Sequence, residues 1–230
     1  RRLLRSRSRY EDENCSWYAG MLTTAANHIV GSGPRLQVLT ADDAFNSRHE
    51  LAWLDFSQRI GFASILKTLV RADWRDGEGV GLLRSEAVHP EFAVYPRLYE
   101  CDQLSDPWQG YNDPYVEDGV QIDPESGLPV AYHLLRNHPG GTVPIGRLEG
   151  DWHSAADVIH TFRSERAGQL RGVPRIAPAL VDFAAMRRFE RATLSAAENA
   201  ANSAMLLKSN SPAAKPKDSP KEFLTFNMPS

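Results

Sequence analysis

Histidines and carboxylates that lie close together in the sequence are the first residues that could do chemistry. His153 and His160 are seven positions apart, with Asp151 and Asp157 nearby. Imidazole and carboxylate groups bind zinc, and bound zinc activates water for hydrolysis. One hypothesis is therefore a metal-dependent hydrolase that uses His153, Asp157 and His160. The alternative is structural, because His160 lies in an apolar stretch, where a hydrogen-bonded core histidine is the ordinary outcome.

Four arginines form a second group with chemical potential. Arg163, Arg166, Arg171 and Arg175 fall within thirteen positions, in a segment that also contains two glycines. Guanidinium groups bind carboxylates and phosphates bidentately, so this segment could pair with acidic residues of another chain or with phosphates. The alternative is a solvated loop with local ion pairs, for example to Glu165.

Five arginines also occur within the first ten residues. They are typical either of a solvated helix start or of a basic segment that contacts nucleic acid. A nucleic-acid-binding module is therefore a further hypothesis.

A glycine-rich turn precedes the predicted strand at 82–83 but does not predict a nucleotide site. Gly77, Gly79 and Gly81 have G-x-G-x-G spacing, and a helix precedes them where a dinucleotide fold needs a strand. Asp76 and Glu78 could do acid–base work, although Asp-Gly is foremost a turn signal. The sequence contains no Walker motif, H-E-x-x-H, G-x-S-x-G or paired C-x-x-C. We therefore expect no catalytic residue, no cofactor and no metal.

The composition is that of an ordinary globular protein. The chain has 230 residues, of which 42% are hydrophobic and 24% charged, and its formal net charge is −3. This charge gives no global bias towards nucleic acid or membranes, so any contact with DNA must be local or must be a non-sticky channel wall. Cys15 and Cys101 are too few for a disulfide framework.

The periodicity of apolar residues predicts helices first and strands later. Residues 1–30 read as a helical segment with Tyr10, Trp17 and Met21 near one face. Further helices are predicted over 42–57 and over 62–74. In the first, Asp42 is the cap, Leu51 and Leu54 face inward, and Trp53 is a further candidate for that face. Short strands are predicted at 35–39, 82–83, 92–98 and 157–162, and a β-hairpin at 120–122 and 130–135.

The clearest single element is a long helix over residues 178–207. Alanine is abundant there, and apolar or small side chains recur at helical spacing. Thirty helical residues span roughly 45 Å, which favours packing against other long helices in a bundle or in a ring of copies. Residues 208–221 contain three prolines and no large apolar group, which is typical of a linker.

Several short segments occur in an order that resembles one known family. They are 7–10, 30–34, 76–78, DGVQID…GLPVAYH at 118–133 with HPG at 138–140, 156–162, and RAGQLRGVP at 166–174. The last is the most specific. These segments resemble motifs of the lambda-type portal proteins of tailed bacteriophages, and together they extend over most of residues 5–205.

The resemblance implies a structural protein and not an enzyme. It implies an α+β, portal-like fold with helical wing segments, a small β-rich clip or wing region and one long stem-type helix. The regions would be 1–115 (wing), 116–177 (wing and clip), 178–207 (stem) and 208–230 (linker and start of the next segment). The subunits would form a closed ring, a dodecamer, at one capsid vertex.

The expected partners and location also come from the resemblance. They are copies of the chain, the terminase large subunit, a head–tail adaptor, capsid proteins, and double-stranded DNA passing through the channel. The protein would lie in the virion, and in the host cytoplasm during assembly. Ala167 stands where the family usually has proline. The family's segment after the long helix is missing here, and because that segment supplies the tunnel-lining loop, we expect that this chain alone does not form a working channel.

Two sets of residues become candidates for contact between subunits. The candidate interface or clip set is Arg163, Arg166, Gly168, Gln169, Arg171, Gly172 and Pro174. The candidate set for packing of the stem helix is Leu180, Phe183, Arg187, Leu194, Ala197 and Ala201.

Overall fold

The computed structural model describes residues 1–84, 94–108, 111–140 and 149–203. It contains five α-helices: α1 (Arg2–Asn14), α2 (Ser16–Val30), α3 (Asp43–Arg59), α4 (Phe62–Arg75) and α5 (Leu180–Asn202). Its strands are β1 (Glu78–Arg84), β2 (Tyr95–Tyr99), β3 (Val116–Glu117), β4 (Val120–Ile122), β5 (Pro129–Leu135), β6 (Gly150–Ser154) and β7 (Val158–Phe162). The predicted α+β class is confirmed. None of the described helices is long and apolar enough to cross a membrane.

The chain divides into two units, Arg1–Arg188 and Phe189–Ser230. The first contains the seven strands, α1 to α4 and the first turns of α5. Of the second, the structure describes the remainder of α5 as far as residue 203. The predicted linker at 208–221 lies outside the described residues.

Two helices form where the sequence predicts one helical segment, because the chain breaks at Cys15. The face on which the apolar pattern places Tyr10 and Trp17 is not the buried one. Tyr18 and Leu22 are buried, whereas Trp17 is 62% exposed. Tyr18 and Leu22 pack with Cys15 and Leu180 in a small apolar cluster. Periodicity identified the helix but not its buried side, because a helix with apolar residues on both sides satisfies the same pattern.

Helix α3 begins at the predicted cap. The Asp42 carboxylate accepts hydrogen bonds from the backbone N–H groups of Ala44 and Phe45. The prediction that Leu51 and Leu54 face inward is wrong, since they are 66% and 50% exposed. Trp53, the further candidate, is half-buried and packs against Phe62 of α4. The predicted strand at 35–39 is also absent, and this stretch has no regular secondary structure.

Two antiparallel sheets follow the helices. One has the order β2-β1-β7, and the other has the order β3-β4-β5-β6. The predicted hairpin is confirmed as the β4–β5 pair, and the predicted strand at 157–162 is confirmed as β7. Strand β7 pairs with β1, placing His160 opposite Val80. The main core lies between the sheets and includes Val80, Leu82 and Leu134.

Helix α5 begins after a short 3-10 turn at Ala177–Ala179 that contains Pro178. It extends over 23 residues to Asn202. The predicted long helix is therefore present, although the last predicted residues, 204–207, lie outside the described part of the chain.

Candidate functional site

A buried carboxylate at the start of β1 is the centre of the candidate site. Glu78 is fully buried. Arg171 binds it with two hydrogen bonds, Nε to Oε2 at 2.8 Å and Nη2 to Oε1 at 2.7 Å. Arg5 adds a bond from Nη2 to Oε1 at 2.6 Å, and His160 Nε2 lies 3.1 Å from Oε2. The backbone N–H of Gly172 also donates to Oε2, at 3.1 Å.

The two segments that build this centre approach each other backbone to backbone. Gly77 has a φ of +93°, a conformation that favours glycine. A Cβ on Gly77 would lie 2.7 Å from Val173 Cα, and a Cβ on Gly172 would lie 2.6 Å from the Gly77 carbonyl carbon. Neither position has room for a side chain. The two glycines are therefore required for the contact that brings Arg171 onto Glu78.

The charges on Glu78 and its partners compensate each other inside the protein. Burial alone would raise the pKa of Glu78, but hydrogen bonds from His160 and Arg171 outweigh it and hold the pKa well below its usual range. Glu78 thus stays ionised, and a carboxylate of such low pKa is poorly suited to acid–base catalysis near neutral pH.

Arg171 uses its guanidinium entirely within the chain. Besides Glu78, it donates to the carbonyl oxygens of Leu104 and Cys101, each at 2.9 Å, and to that of Asp118. These contacts tie the segment before α5 to the loop after β2 and to the turn before β4. Asp118 itself has a positive φ of 50°.

The first arginines of the chain extend the cluster. Arg5 binds Asp102 at 2.6 Å as well as Glu78. Arg9 binds Asp76 at 2.7 Å and also binds Asp102. These two arginines are therefore engaged by carboxylates of the same chain, whereas the side chain of Arg2 is 81% exposed. Sequence reasoning missed this role, because the partners lie about seventy to a hundred positions away.

The predicted interface set is divided by the structure. Arg171, Gly172 and Pro174 are buried within the chain. Arg163, Arg166 and Gly168 are exposed, and the nearest partner of Arg163 is Glu165, at 3.6 Å. The half-buried Gln169 donates to the Arg171 carbonyl oxygen at 2.8 Å and so stabilises the turn.

The residues of the hydrolase hypothesis do not form a ligand group in the described part of the chain. His160 is engaged by Glu78, and the groups with metal-binding spacing there include neither His153 nor Asp157. The structure gathers Glu100, Asp102 and His138 instead.

The group of Glu100, Asp102 and His138 has the geometry of an ion-pair cluster. Arg9 lies against both carboxylates, with Nη2 at 3.5 Å from Glu100 Oε2. His138 Nδ1 accepts the Gly140 N–H at 3.0 Å, which places the proton of the neutral ring on Nε2. Nε2 is the atom that would have to bind the metal, so these residues do not fit a metal well.

The predicted packing residues of α5 are buried or paired at the start of the helix and exposed further along it. Leu180 is 6% exposed, Phe183 packs edge-on against Tyr18 with ring centroids 5.1 Å apart, and Arg187 binds Glu11 at 3.0 and 3.1 Å. In the second unit, Leu194, Ala197 and Ala201 are exposed.

One comparison with known proteins identifies a family. The family model described as phage portal protein, lambda family, matches residues 1–228. A search of curated proteins finds no match.

Proposed function

Since the chain belongs to the lambda family of phage portal proteins and so has a structural role in viral DNA packaging, we propose that it is one subunit of a closed ring at a single vertex of the capsid. Through this ring the DNA would enter during packaging and leave during ejection. The observation that carries the proposal is the family match over nearly the whole chain.

The buried cluster supports the proposal from the structural side. Segments 76–78 and 166–174, which resemble family motifs, meet in the Arg171–Glu78 contact. Arg171 and Glu78 of these motifs stabilise the fold, because both are buried and their polar atoms are hydrogen-bonded within the chain. A buried ion pair of this kind holds two segments of the fold in fixed positions, which is a structural role.

We further propose that the chain catalyses no reaction. The fully buried Glu78 is held ionised by its partners. Glu100 and Asp102 are engaged by Arg9, and His138 lies against Glu100. Translocation would be driven by the terminase large subunit bound to the ring, and no cofactor is expected. Elemental analysis of the purified protein tests this point, because a stoichiometric metal would contradict it.

The regional assignments remain part of the proposal: 1–115 as wing, 116–177 as wing and clip, 178–207 as stem, and 208–230 as linker. The three-stranded sheet takes β1 and β2 from the first of these regions and β7 from the second. The first two of these regions would therefore share one sheet in this chain.

Contact between subunits is proposed along one face of α5. Leu180, Phe183 and Arg187 are followed on the same side of the helix by Leu194, Ala197 and Ala201, at steps that alternate between three and four when Glu190 is included. This is the heptad spacing with which helices pack against each other. The first part of the face packs within the subunit, and we assign the exposed later part to a neighbouring copy. The exposed Arg163 and Arg166 are further candidates.

The remaining partners would be a head–tail adaptor, capsid proteins and double-stranded DNA, in a dodecameric ring in the virion that assembles in the host cytoplasm. The net charge of −3 suits a channel wall, since every neutralised phosphate adds affinity and would slow the passage of DNA.

Light scattering and negative-stain imaging of the same purified fraction test the proposal. We expect a mass of many subunits and rings with a central hole. A mass of one subunit at all protein concentrations would contradict the proposed ring.

A further inference from the structure

One part of the first unit has no buried residue. From residue 31 to residue 59, every side chain is half-buried or exposed. This range contains all of α3, a helix of 17 residues. Because most helical stability in proteins comes from packing an apolar face, a helix without a single buried residue indicates a missing partner.

The missing partner has a defined place to bind. A groove of about 840 Å³ lies between α3, the start of α4 and the irregular segment 32–36. Its apolar walls include Leu36, Leu51 and Leu54, which are 43%, 66% and 50% exposed. A cluster of exposed leucines around one concave surface is typical of an interaction site.

The groove is held in shape by contacts within the chain. Val38 donates its backbone N–H to Glu50 Oε1 at 2.9 Å, and Trp53 Nε1 donates to the Pro34 carbonyl oxygen at 3.2 Å. Trp53 also packs edge-on against Phe62 on α4, with centroids 5.6 Å apart. The irregular chain from Pro34 to Val38 is thus held against α3 by hydrogen bonds, so little ordering would be needed on binding.

A polar group in the groove also lacks a partner. Ser57 lines the groove, and its Oγ is shielded from solvent without a hydrogen-bond partner among the described residues. A shielded hydroxyl of this kind costs free energy until a partner supplies the bond.

The charge of this surface favours one kind of occupant. Residues 31–61 carry three arginines and four carboxylates, a formal charge of −1. Nucleic acid and anionic membranes both require a basic surface, which this is not. A mixed, nearly neutral rim around an apolar groove fits contact with another folded chain of similar composition.

We propose that the groove between α3, α4 and segment 32–36 receives a second copy of this chain. The inference rests on the proposed ring and names one of its two surfaces. A ring closes head to tail, so each subunit must offer two different surfaces, and the groove is a surface separate from the exposed face of α5. Leu51 and Leu54 are then covered in the assembled protein.

Photo-crosslinking of the full chain tests this assignment directly. A photoreactive phenylalanine analogue is placed at position 51 in the groove and, as a matched control, at position 39, an 84% exposed leucine that does not line the groove. We expect crosslinks from position 51 to peptides of a second copy, identified by mass spectrometry of mixed light and heavy isotope-labelled chains, and few from position 39.

The outcomes separate this inference from the proposed ring. Rings without inter-copy crosslinks at position 51 would overturn the groove assignment and leave the ring intact. Crosslinks only to a different protein or to nucleic acid would also overturn it. A chain that never self-associates would contradict the proposed ring and the groove assignment together.

A charge variant provides a second measurement. Leu51→Glu should raise the concentration at half-assembly at least about tenfold, equivalent to about 1.4 kcal/mol, while circular dichroism stays unchanged because the side chain is exposed in the single subunit. Leu39→Glu should leave assembly unchanged. Equal effects of both variants would overturn the proposal.

Discussion

Arg171 and Glu78 lie 93 positions apart in the sequence and form a fully buried, bidentate ion pair, with N–O distances of 2.7 and 2.8 Å. The pair joins the first strand to the segment before the long helix. Around it, Arg5, His160 and the Gly172 N–H complete the hydrogen bonds of the carboxylate. Removing one member leaves the other charged and buried, which is costly.

The first prediction concerns this pair. Arg171→Met should lower the free energy of unfolding by about 3–5 kcal/mol, because Glu78 then loses its bidentate partner inside the protein. Arg163→Met is the matched control, since Arg163 is exposed, and should change it by less than about 0.5 kcal/mol. Urea denaturation followed by circular dichroism measures both. Similar stabilities for the two variants would refute the role assigned to Arg171.

The second prediction is a loss of stability in acid. The pKa of Glu78 is held below its ordinary value of 4.5 in the folded protein, and that of Asp102 is lowered by Arg5 and Arg9 against the effect of burial. A carboxylate with a depressed folded pKa stabilises the fold above its unfolded pKa, and this contribution is lost as the pH falls towards the folded value. The free energy of unfolding should therefore decrease steadily below about pH 4.5.

Denaturation curves between about pH 7 and pH 2.5 measure this dependence. Glu78→Gln should be less stable at neutral pH and should show a shallower decrease in acid, because one of the titrating groups is gone. An unchanged slope in this variant would show that other carboxylates control acid unfolding.

The third prediction compares two glycines. Gly172→Ala should destabilise the fold by about 3 kcal/mol, since the new methyl would overlap the Gly77 backbone. Gly20 lies in α2, and a Cβ added there would meet open space. Gly20→Ala should therefore stabilise the fold by about 0.5–1 kcal/mol, because alanine has the higher helix propensity. Thermal unfolding should give a lower melting temperature for Gly172→Ala and a higher one for Gly20→Ala. An unchanged melting temperature for Gly172→Ala would contradict the close approach of Gly172 to Gly77.

The fourth prediction concerns the exposed face of α5. Leu194→Glu should weaken ring assembly by at least about tenfold in half-assembly concentration, because a charge replaces a side chain of the proposed helix–helix contact. Ala192→Glu, on the opposite side of the same helix, should assemble normally. Sedimentation velocity distinguishes the two, and equal assembly would rule out this face as a contact.

Local elements of the fold were largely predictable. The cap at Asp42, the β4–β5 hairpin, the strand β7 and the long helix α5 are encoded by turn residues, period and propensity within short windows. The order of the motifs also identified the family, because an ordered set of short matches carries more information than each match alone.

The burial of particular side chains was less predictable. Trp17 is exposed and Tyr18 buried, and Leu51 and Leu54 are exposed on a helix with no buried residue. Periodicity shows that one side of a helix differs from the other, but which side is covered depends on what packs against it. For α3 the described residues of the same chain supply only partial cover.

The sequence by itself determined the class of protein, the positions of most helices and strands, and the presence of an arginine-rich segment before α5. Only the tertiary structure decided what those arginines do: Arg171 lies inside against Glu78, Arg5 joins it from α1, and Arg163 stays at the surface. The physical reason is that an ion pair depends on distance in space. Partners separated by about seventy to ninety positions meet only after strand pairing and the close approach of Gly77 and Gly172 have brought their backbones together.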